Sequence, residues 1–274
     1  MRWEELTAPE FEDAVRATSV CVLALGVLER HSDHLPLGTD VINSHAVACL
    51  AAEREPAVVF PPFYFGQIYE ARCFPGAVTL RPDLLLGLLQ GVLDEIGRNG
   101  FAKIVLYNGH GGNNHLLPFL AQCALWEEKP YTVYIPSARL TPKRQQELDR
   151  LIETAGGHAG ESETSMTLAN RPDLVREEAI PDTPGKPLGR LDHLPSTFAG
   201  VSWYANYPEH YAGDAHYASR EKGLRMRELR VATLAEYLAA VKADETAPAL
   251  GREFHARARG MTRSLLGPMT SGTT

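Results

Sequence analysis

Five side chains that commonly bind metal ions occur within twelve residues near the start of the sequence: Glu29, His31, Asp33, His34 and Asp40. Glu29 and His31 are two residues apart, so an extended backbone would project both to the same side. Taken alone, Asp40 has a simpler interpretation as the cap of a following helix, and His34 could be a hydrogen-bonded loop histidine. The density of carboxylates and imidazoles indicates a metal or catalytic site.

A second cluster, Asn108–His115, has His110 among three glycines. Glycine lets the backbone turn sharply, so this segment could bring His110 and neighbouring N–H groups against a ligand. A phosphate-binding glycine loop is the alternative, but neither the G-x-G-x-x-G nor the Walker A spacing is present. A purely structural tight turn is also possible, although it would not need a histidine.

A third cluster, at residues 156–165, contains His158, Glu161 and Glu163. The helix dipole favours acidic residues in a first turn, which is a structural explanation for both glutamates but not for His158. The three clusters contain no cysteine, and their oxygen and nitrogen donors suit Zn²⁺, Mn²⁺ or Fe²⁺ rather than a structural thiolate zinc site. A bridging aspartate with two ligand sets would hold two ions ~3.5–4 Å apart, a geometry that activates water for hydrolysis.

These clusters need a scaffold that brings them together. Apolar, β-rich runs predict buried strands at 19–25, 57–63, 103–108 and 131–136. Helical patterns lie at 41–54, 81–98, 113–128 and 217–243. Near-continuous apolar strands alternating with helices predict an α/β fold whose mostly parallel sheet is covered on both faces. The first two clusters would then follow the ends of strands, where open α/β sheets bind their substrates.

Composition restricts the class of protein. Of 274 residues, 44% are hydrophobic and 22% are charged, with a formal net charge of −7 and no long basic run, so nucleic acid is not expected as a partner. No signal-peptide pattern and no apolar run of ~20 residues is present, so no membrane association is expected. We expect a cytoplasmic protein with a small-molecule substrate, whose cysteines are buried free thiols: Cys21, Cys49, Cys73 and Cys123.

The stretch 177–215 is rich in Pro, Gly and aromatic residues and has no clear period. Long irregular segments in compact domains are often functional loops. Its aromatic part is either a structural anchor or a wall of the substrate pocket, where Trp203 would face a polyol ring while Asn206, Glu209 and His210 bond its hydroxyls. We expect one domain at 1–245 and a loose C-terminal tail at 246–274.

In order and spacing, the three clusters resemble the motifs of the creatininase (creatinine amidohydrolase) family. The sequence reads Glu-x-His-x-x-His-Leu-Pro-Leu-x-Thr-Asp at 29–40, Asn-Gly-His-Gly-Gly-Asn at 108–113 and His-Ala-Gly-Glu-x-Glu-Thr-Ser at 158–165. The likeness extends over about residues 3–240. Ser32-Asp33 stands where the family usually has Gly-Pro, and Gly112 stands where creatininase itself has glutamate. Creatinine is therefore an unfavourable candidate substrate.

The resemblance implies a three-layer α/β/α domain with two divalent ions, zinc, manganese or iron, at the carboxyl edge of the sheet. Asp40 would bridge the ions, Glu29 and His110 would complete one site, and His31 would serve the other. Where relatives have glycine at the position of Gly112, the glutamate of the third motif can be the remaining ligand. The implied metal ligands are Glu29, His31, Asp40, His110 and Glu163.

The resemblance also implies a reaction in which metal-bound hydroxide attacks the carbonyl of a small cyclic amide or related C–N substrate. His158 would transfer a proton or polarise that carbonyl, so His158 and Glu163 are the candidate catalytic residues, with His34, Trp203 and His210 as candidate substrate contacts. Hydrolytic C–C ring opening of a cyclic diketone derived from inositol or a sugar is the alternative, and a non-catalytic metal-binding subunit is the third. Family members form ring-like homo-oligomers, commonly hexamers, which is the assembly we expect.

Overall fold

A computed structural model describes residues 1–137, 140–155 and 157–266, the last five of these by their backbone only. Within these ranges, one parallel sheet contains four strands: β1 (Val20–Leu25), β2 (Val58–Val59), β3 (Lys103–Asn108) and β4 (Thr132–Tyr134). Their order is β2-β1-β3-β4. All six residues of β1 pair with β3, which aligns the carboxyl ends of the two central strands.

The described chain also contains α-helices on both sides of this sheet. They are α1 (Ala8–Thr18), α2 (Thr39–Arg54), α3 (Pro82–Arg98), α4 (Asn113–Cys123), α5 (Pro142–Leu151), α6 (Glu161–Asn170), α7 (Ser202–Asn206), α8 (Arg220–Ala243) and α9 (Thr246–Leu266). The bounds of α2, α3 and α8 are close to those predicted, whereas α1 and α5 were not predicted.

The side chains of β1 alternate between two apolar cores. Val20, Val22 and Ala24 pack with α2 and α8 on one face of the sheet. The intervening side chains pack with α3 and α4 on the other face. Because both faces are covered, every residue of β1 is buried, and the strand reads as a continuous apolar run. The predicted three-layer α/β/α fold with a parallel sheet is confirmed.

Two predicted elements are longer than the observed ones. The strand predicted at 57–63 covers only Val58–Val59, because Pro61 and Pro62 have no N–H to donate to a neighbouring strand. The helix predicted at 113–128 ends at Cys123 and continues as a single 3₁₀ turn.

The tail expected at 246–274 is partly helical. Helix α9 occupies its first 21 residues, and Arg259 in this helix forms an ion pair with Glu128. The first part of the expected tail is therefore a helix rather than an irregular segment. Residues 267–274 lie outside the described residues.

Two expectations from composition can be compared with the structure. All four cysteines are free thiols, as expected. Cys21 and Cys49 are also buried as expected, whereas Cys73 is exposed and Cys123 is half-buried. Within the described ranges, no helix has both the length and the apolar character needed to span a bilayer.

Candidate metal centre

Glycines after β1 and β3 let both strands end against the start of α2. A Cβ at Gly26 would lie 2.6 Å from the backbone nitrogen of Val41 and 2.7 Å from Asp40 Cβ. A Cβ at Gly109 would lie 2.8 Å from the carbonyl oxygen of Asp40. The Gly109 N–H donates to the Leu25 carbonyl at 2.7 Å, which holds the two strand ends together. Asp40 is thereby fixed beside both strand ends.

Asp40 lies between two histidines. Its Oδ1 is 3.2 Å from His31 Nε2, and its Oδ2 is 3.0 Å from His110 Nδ1. Glu29 Oε1 is 2.8 Å from the same nitrogen of His110. The N-cap of α2 is Gly38 rather than Asp40, so the capping interpretation of Asp40 is wrong. The two oxygens of Asp40 face different ligand groups, as a bridging carboxylate requires.

The third motif brings Glu163 and His158 to the same centre. Glu163 Oε2 lies 3.6 Å from His31 Nε2 and 3.8 Å from His158 Nδ1, and it accepts a hydrogen bond from the Ala159 N–H at 2.6 Å. His158 Nε2 donates to the carbonyl oxygen of Arg30 at 2.7 Å. This bond assigns the proton to Nε2, so the Nδ1 lone pair of His158 faces Glu163.

Glu161, two residues before Glu163, has a structural role. Its carboxylate accepts hydrogen bonds from the N–H groups of Glu153 and Thr154 and pairs with Lys222 Nζ at 2.6 Å. These contacts tie the start of α6 to the preceding loop and to α8. The two glutamates of the motif therefore separate into one at the metal centre and one that supports the fold.

A chain of hydrogen bonds from the irregular segment reaches Glu29. His210 Nε2 is 2.7 Å from Glu29 Oε2, and the Trp203 indole N–H donates to His210 Nδ1 at 3.1 Å. An indole can only donate, so His210 accepts at Nδ1 and carries its proton at Nε2, facing Glu29. Trp203 and His210 both line the cavity, as a substrate contact would require. His210 also orients a carboxylate of the centre, which the sequence did not indicate because 181 residues separate them.

The structure corrects two expected substrate contacts. His34 is fully buried and does not line the cavity. Its Nε2 is 2.9 Å from Oγ1 of Thr164, so its ring packs against the third motif on the side away from the cavity. Glu209 also lies outside the cavity, with an exposed side chain 3.6 Å from Arg30. Neither side chain is placed to touch a substrate.

The carbonyl of Gln67 fixes the orientation of His110. It accepts a hydrogen bond from His110 Nε2 at 2.9 Å, which leaves Nδ1 facing Glu29 and Asp40. Partners of this kind set the tautomer and direction of metal-binding histidines. Nothing in the sequence indicates Gln67, since its contribution is a backbone oxygen that any residue type could supply.

The charges of the centre shift pKa values in both directions. Burial opposes a charge on His31, but the carboxylates of Asp40 and Glu163 outweigh it and raise the pKa of His31 to about 10. Burial raises the pKa of Glu163 to about 7. Burial together with the charge of His31 lowers the pKa of His158 to about 3. Divalent ions bound here would displace protons, so their affinity depends on pH.

Two buried carboxylate oxygens, Glu29 Oε1 and Asp40 Oδ2, have no hydrogen-bond partner among the described residues. Both lie within 3.0 Å of His110 Nδ1, but the bond from His110 Nε2 to the Gln67 carbonyl places the proton of the neutral ring on the other nitrogen. Unpaired buried carboxylate oxygens are costly, and a divalent cation would satisfy both. Carboxylate and imidazole donors fit zinc, manganese or iron. The groups whose ligand atoms converge are Glu29–His31–Asp40, His31–His158–Glu163 and Glu29–His158–His210.

This centre opens into a cavity of about 1150 Å³. Glu29, His110, His158 and Glu163 line its inner end, while the outer walls come from α3, α4 and the segment 198–207. The geometry therefore gives a small molecule access to these candidate metal ligands.

Comparison with known proteins agrees with this geometry. The family model described as Creatininase, creatinine amidohydrolase, matches residues 4–238. The creatinine amidohydrolase of Pseudomonas putida is 30% identical over 85% of this chain and 94% of its own. The 3-dehydro-scyllo-inosose hydrolase of Thermotoga maritima is 25% identical over 80% of this chain and 76% of its own.

Solved creatininase structures share the fold. A mutant creatininase described as Zn-Zn type has a TM-score of 0.75 and 29% identity, covering 89% of this chain and 98% of that one. A creatininase described as the Mn form has a TM-score of 0.73 and 28% identity, covering 89% and 99%. With the motifs, the fold and the convergent ligand groups in agreement, this chain belongs to the creatininase family of metal-dependent hydrolases.

Proposed function

We propose that this protein holds two divalent metal ions and hydrolyses the C–N bond of a small amide, such as a cyclic amide. The observation that carries the proposal is Asp40, whose two buried oxygens face different ligand groups. Glu29 and His110 would hold one ion, and His31 and Glu163 the other. The solved creatininase of Zn-Zn type, which has the same fold, supports a pair of ions.

When bound, the two ions would supply an activated water and polarise the substrate carbonyl. The surrounding side chains then have separate tasks. His158 lines the cavity and can accept a hydrogen bond or a proton at Nδ1, because its Nε2 proton is donated to the carbonyl oxygen of Arg30. It is therefore suited to receive a proton or hydrogen bond from water or substrate, and less suited to donate one to a carbonyl. His210 keeps Glu29 oriented through its own Nε2 proton.

A second candidate is hydrolytic C–C ring opening of a cyclic diketone derived from inositol or a sugar. The relative from Thermotoga maritima, named as an inosose hydrolase, supports it. Attack on a carbonyl is common to both reactions, so the same side chains serve either one. We favour C–N cleavage because, of the two relatives described above, the one with the higher identity is named as an amidohydrolase. A non-catalytic subunit is disfavoured, since none of the five proposed ligands is missing.

Metal analysis tests the dinuclear centre. Purified protein should contain close to two divalent ions per chain, and Asp40→Ala should reduce the occupancy of both. Asp33→Ala, which removes an exposed carboxylate from the same loop, is the matched control and should retain both ions. Full occupancy in Asp40→Ala would eliminate the bridging role. A screen of the metal-loaded enzyme against cyclic amides and keto-polyols then separates C–N from C–C cleavage.

A further inference from the structure

The cavity is larger than a single small ring requires. Its volume of about 1150 Å³ lies above the ~300–1,000 Å³ typical of pockets for drug-sized ligands. A ring held at the metal centre would leave most of this space to water. The cavity therefore has room for a substrate that extends well beyond its reacting group.

The outer walls of the cavity come from three separate elements and are mainly apolar, although Asp83, His115 and Asn206 also line them. Phe198 is 82% exposed and Phe119 is 56% exposed, although both are large hydrophobic side chains. The ring of Phe198 lies 5.9 Å from that of His115 on α4, so segment 198–207 stands beside this helix. The leucine and phenylalanine residues that line the outer wall are Leu85, Leu86, Leu116, Phe119 and Phe198.

The charged side chains that line the cavity disfavour a substrate with a negatively charged group. Among the described residues that line it, none is a lysine or an arginine. Of the acidic residues away from the metal centre, Asp83 is paired with Arg81 at 2.5 Å, whereas Glu70 receives only a hydrogen bond from the Gln67 amide at 2.8 Å. Away from the metal centre, a negatively charged substrate group would meet no lysine or arginine among the described lining residues and would be repelled by Glu70.

We propose that the substrate of this hydrolase carries an apolar arm without negative charge, which lies between α3, α4 and Phe198 while the substrate carbonyl reaches the metal centre. This inference rests on the proposed function, because the arm is located relative to a carbonyl at that centre. The arm is continuous with the site, since one cavity is lined by Glu163 at its inner end and Phe198 at its outer end. A hydroxylated ring could reach Asn206 and His210 in this cavity, but it would leave the apolar side chains of the outer wall in water.

Two metal-binding probes that differ only in their arm test this proposal. Acetohydroxamate and 4-phenylbutyrohydroxamate present the same chelating group, and their binding to the metal-loaded protein is measured by calorimetry without any turnover. We expect the phenylbutyl compound to bind at least about tenfold more tightly, since its arm buries apolar surface. A third probe with a carboxylate on the phenyl ring should lose this advantage.

Variants locate the arm. Phe198→Ala should reduce the preference for the phenylbutyl probe by at least about threefold, through lost aromatic contact. Trp126→Ala is the matched control, because Trp126 is 93% exposed and lies outside this cavity; it should leave the preference unchanged.

The outcomes separate this proposal from the one on which it rests. Equal affinity for the two uncharged probes would overturn the apolar arm while leaving the metal centre intact. Failure of acetohydroxamate to bind would instead overturn the metal centre. If Phe198→Ala changed the assembly state in light scattering but left the preference unaltered, Phe198 would belong to a subunit interface, and the proposed arm site would be wrong.

Discussion

We expect Gly112→Ala to weaken metal binding although position 112 is not itself a ligand. A Cβ at Gly112 would lie 2.5 Å from His110 Nε2 and 2.6 Å from the carbonyl oxygen of Gln67. These two atoms form the hydrogen bond that orients His110. The backbone of Gly112 is helical, with φ −60° and ψ −26°, so alanine would cause no backbone strain. The whole effect should therefore come from the collision with His110 and Gln67.

The magnitude follows from how this collision is relieved. Neither contact can be accommodated without moving the His110 ring or the Gln67 backbone. Overpacking of this kind costs about 1–3 kcal/mol, and each kcal/mol lowers Tm by roughly 2–4 °C for a protein of this size. Loss of the partner that orients a metal-binding histidine costs about 10–100-fold in metal affinity. We expect both effects in Gly112→Ala.

Gly111→Ala is the matched control for this prediction. Among the described residues, none has a heavy atom within 4 Å of a Cβ at position 111, leaving aside its own chain neighbours. Thermal melting of the metal-free proteins and titration with Zn²⁺ against a fluorescent chelator would compare the two variants. If Gly112→Ala bound Zn²⁺ as tightly as Gly111→Ala, the argument from the His110 orientation would be refuted. The same collision predicts that Gly112→Glu, which introduces the residue found in creatininase, would not create a working ligand.

Three further predictions concern the centre and the assembly. Glu163→Gln should lower metal affinity sharply. Glu161→Gln should instead lower Tm with little change in metal affinity, because Glu161 accepts a hydrogen bond from the Thr154 N–H and pairs with Lys222. The reverse pattern would contradict these assignments. The pKa of His31 rises from 6.5 to about 10 on folding, so its proton stabilises the metal-free fold below pH 6.5 and that stabilisation is lost as the pH rises toward 10. Urea unfolding should therefore show declining stability between pH 7 and 10, a slope that His31→Gln should reduce, while metal affinity rises over the same range. Light scattering at micromolar concentration should show a homo-oligomer, with a hexamer favoured, and a monomer would contradict this.

The scaffold and the three clusters of candidate residues could be predicted from the sequence because their signals are local, whereas the assignment of individual ligands depends on the family resemblance. The apolar run of β1 and the glycines around His110 stand within a few residues of the groups that they position. Parallel strands then bring their carboxyl ends to one edge of the sheet, so Glu29 and His110 meet without any further information.

The contacts that orient the ligands could not be predicted, because they join distant segments. Gln67 contributes a backbone oxygen to His110 from 43 residues away, which has no sequence signature. The irregular, aromatic segment around His210 predicts a contact with the substrate, whereas the bond of His210 to Glu29 appears only in the folded chain. His34 stands within the first motif, yet its ring faces Thr164 instead of the cavity.

The bond between Glu29 and His210 has a consequence for how the protein matures. These residues are 181 positions apart, and Glu163 lies between them. At about 5–20 residues per second, the ribosome needs roughly 10–40 s after adding Glu29 before it adds His210. During that interval the first motif presents Glu29, His31 and Asp40 without the side chains that complete and orient the centre. Firm retention of metal should therefore begin only once most of the chain has been synthesised, so that translation, rather than encounter with ions, sets the earliest moment of metal loading.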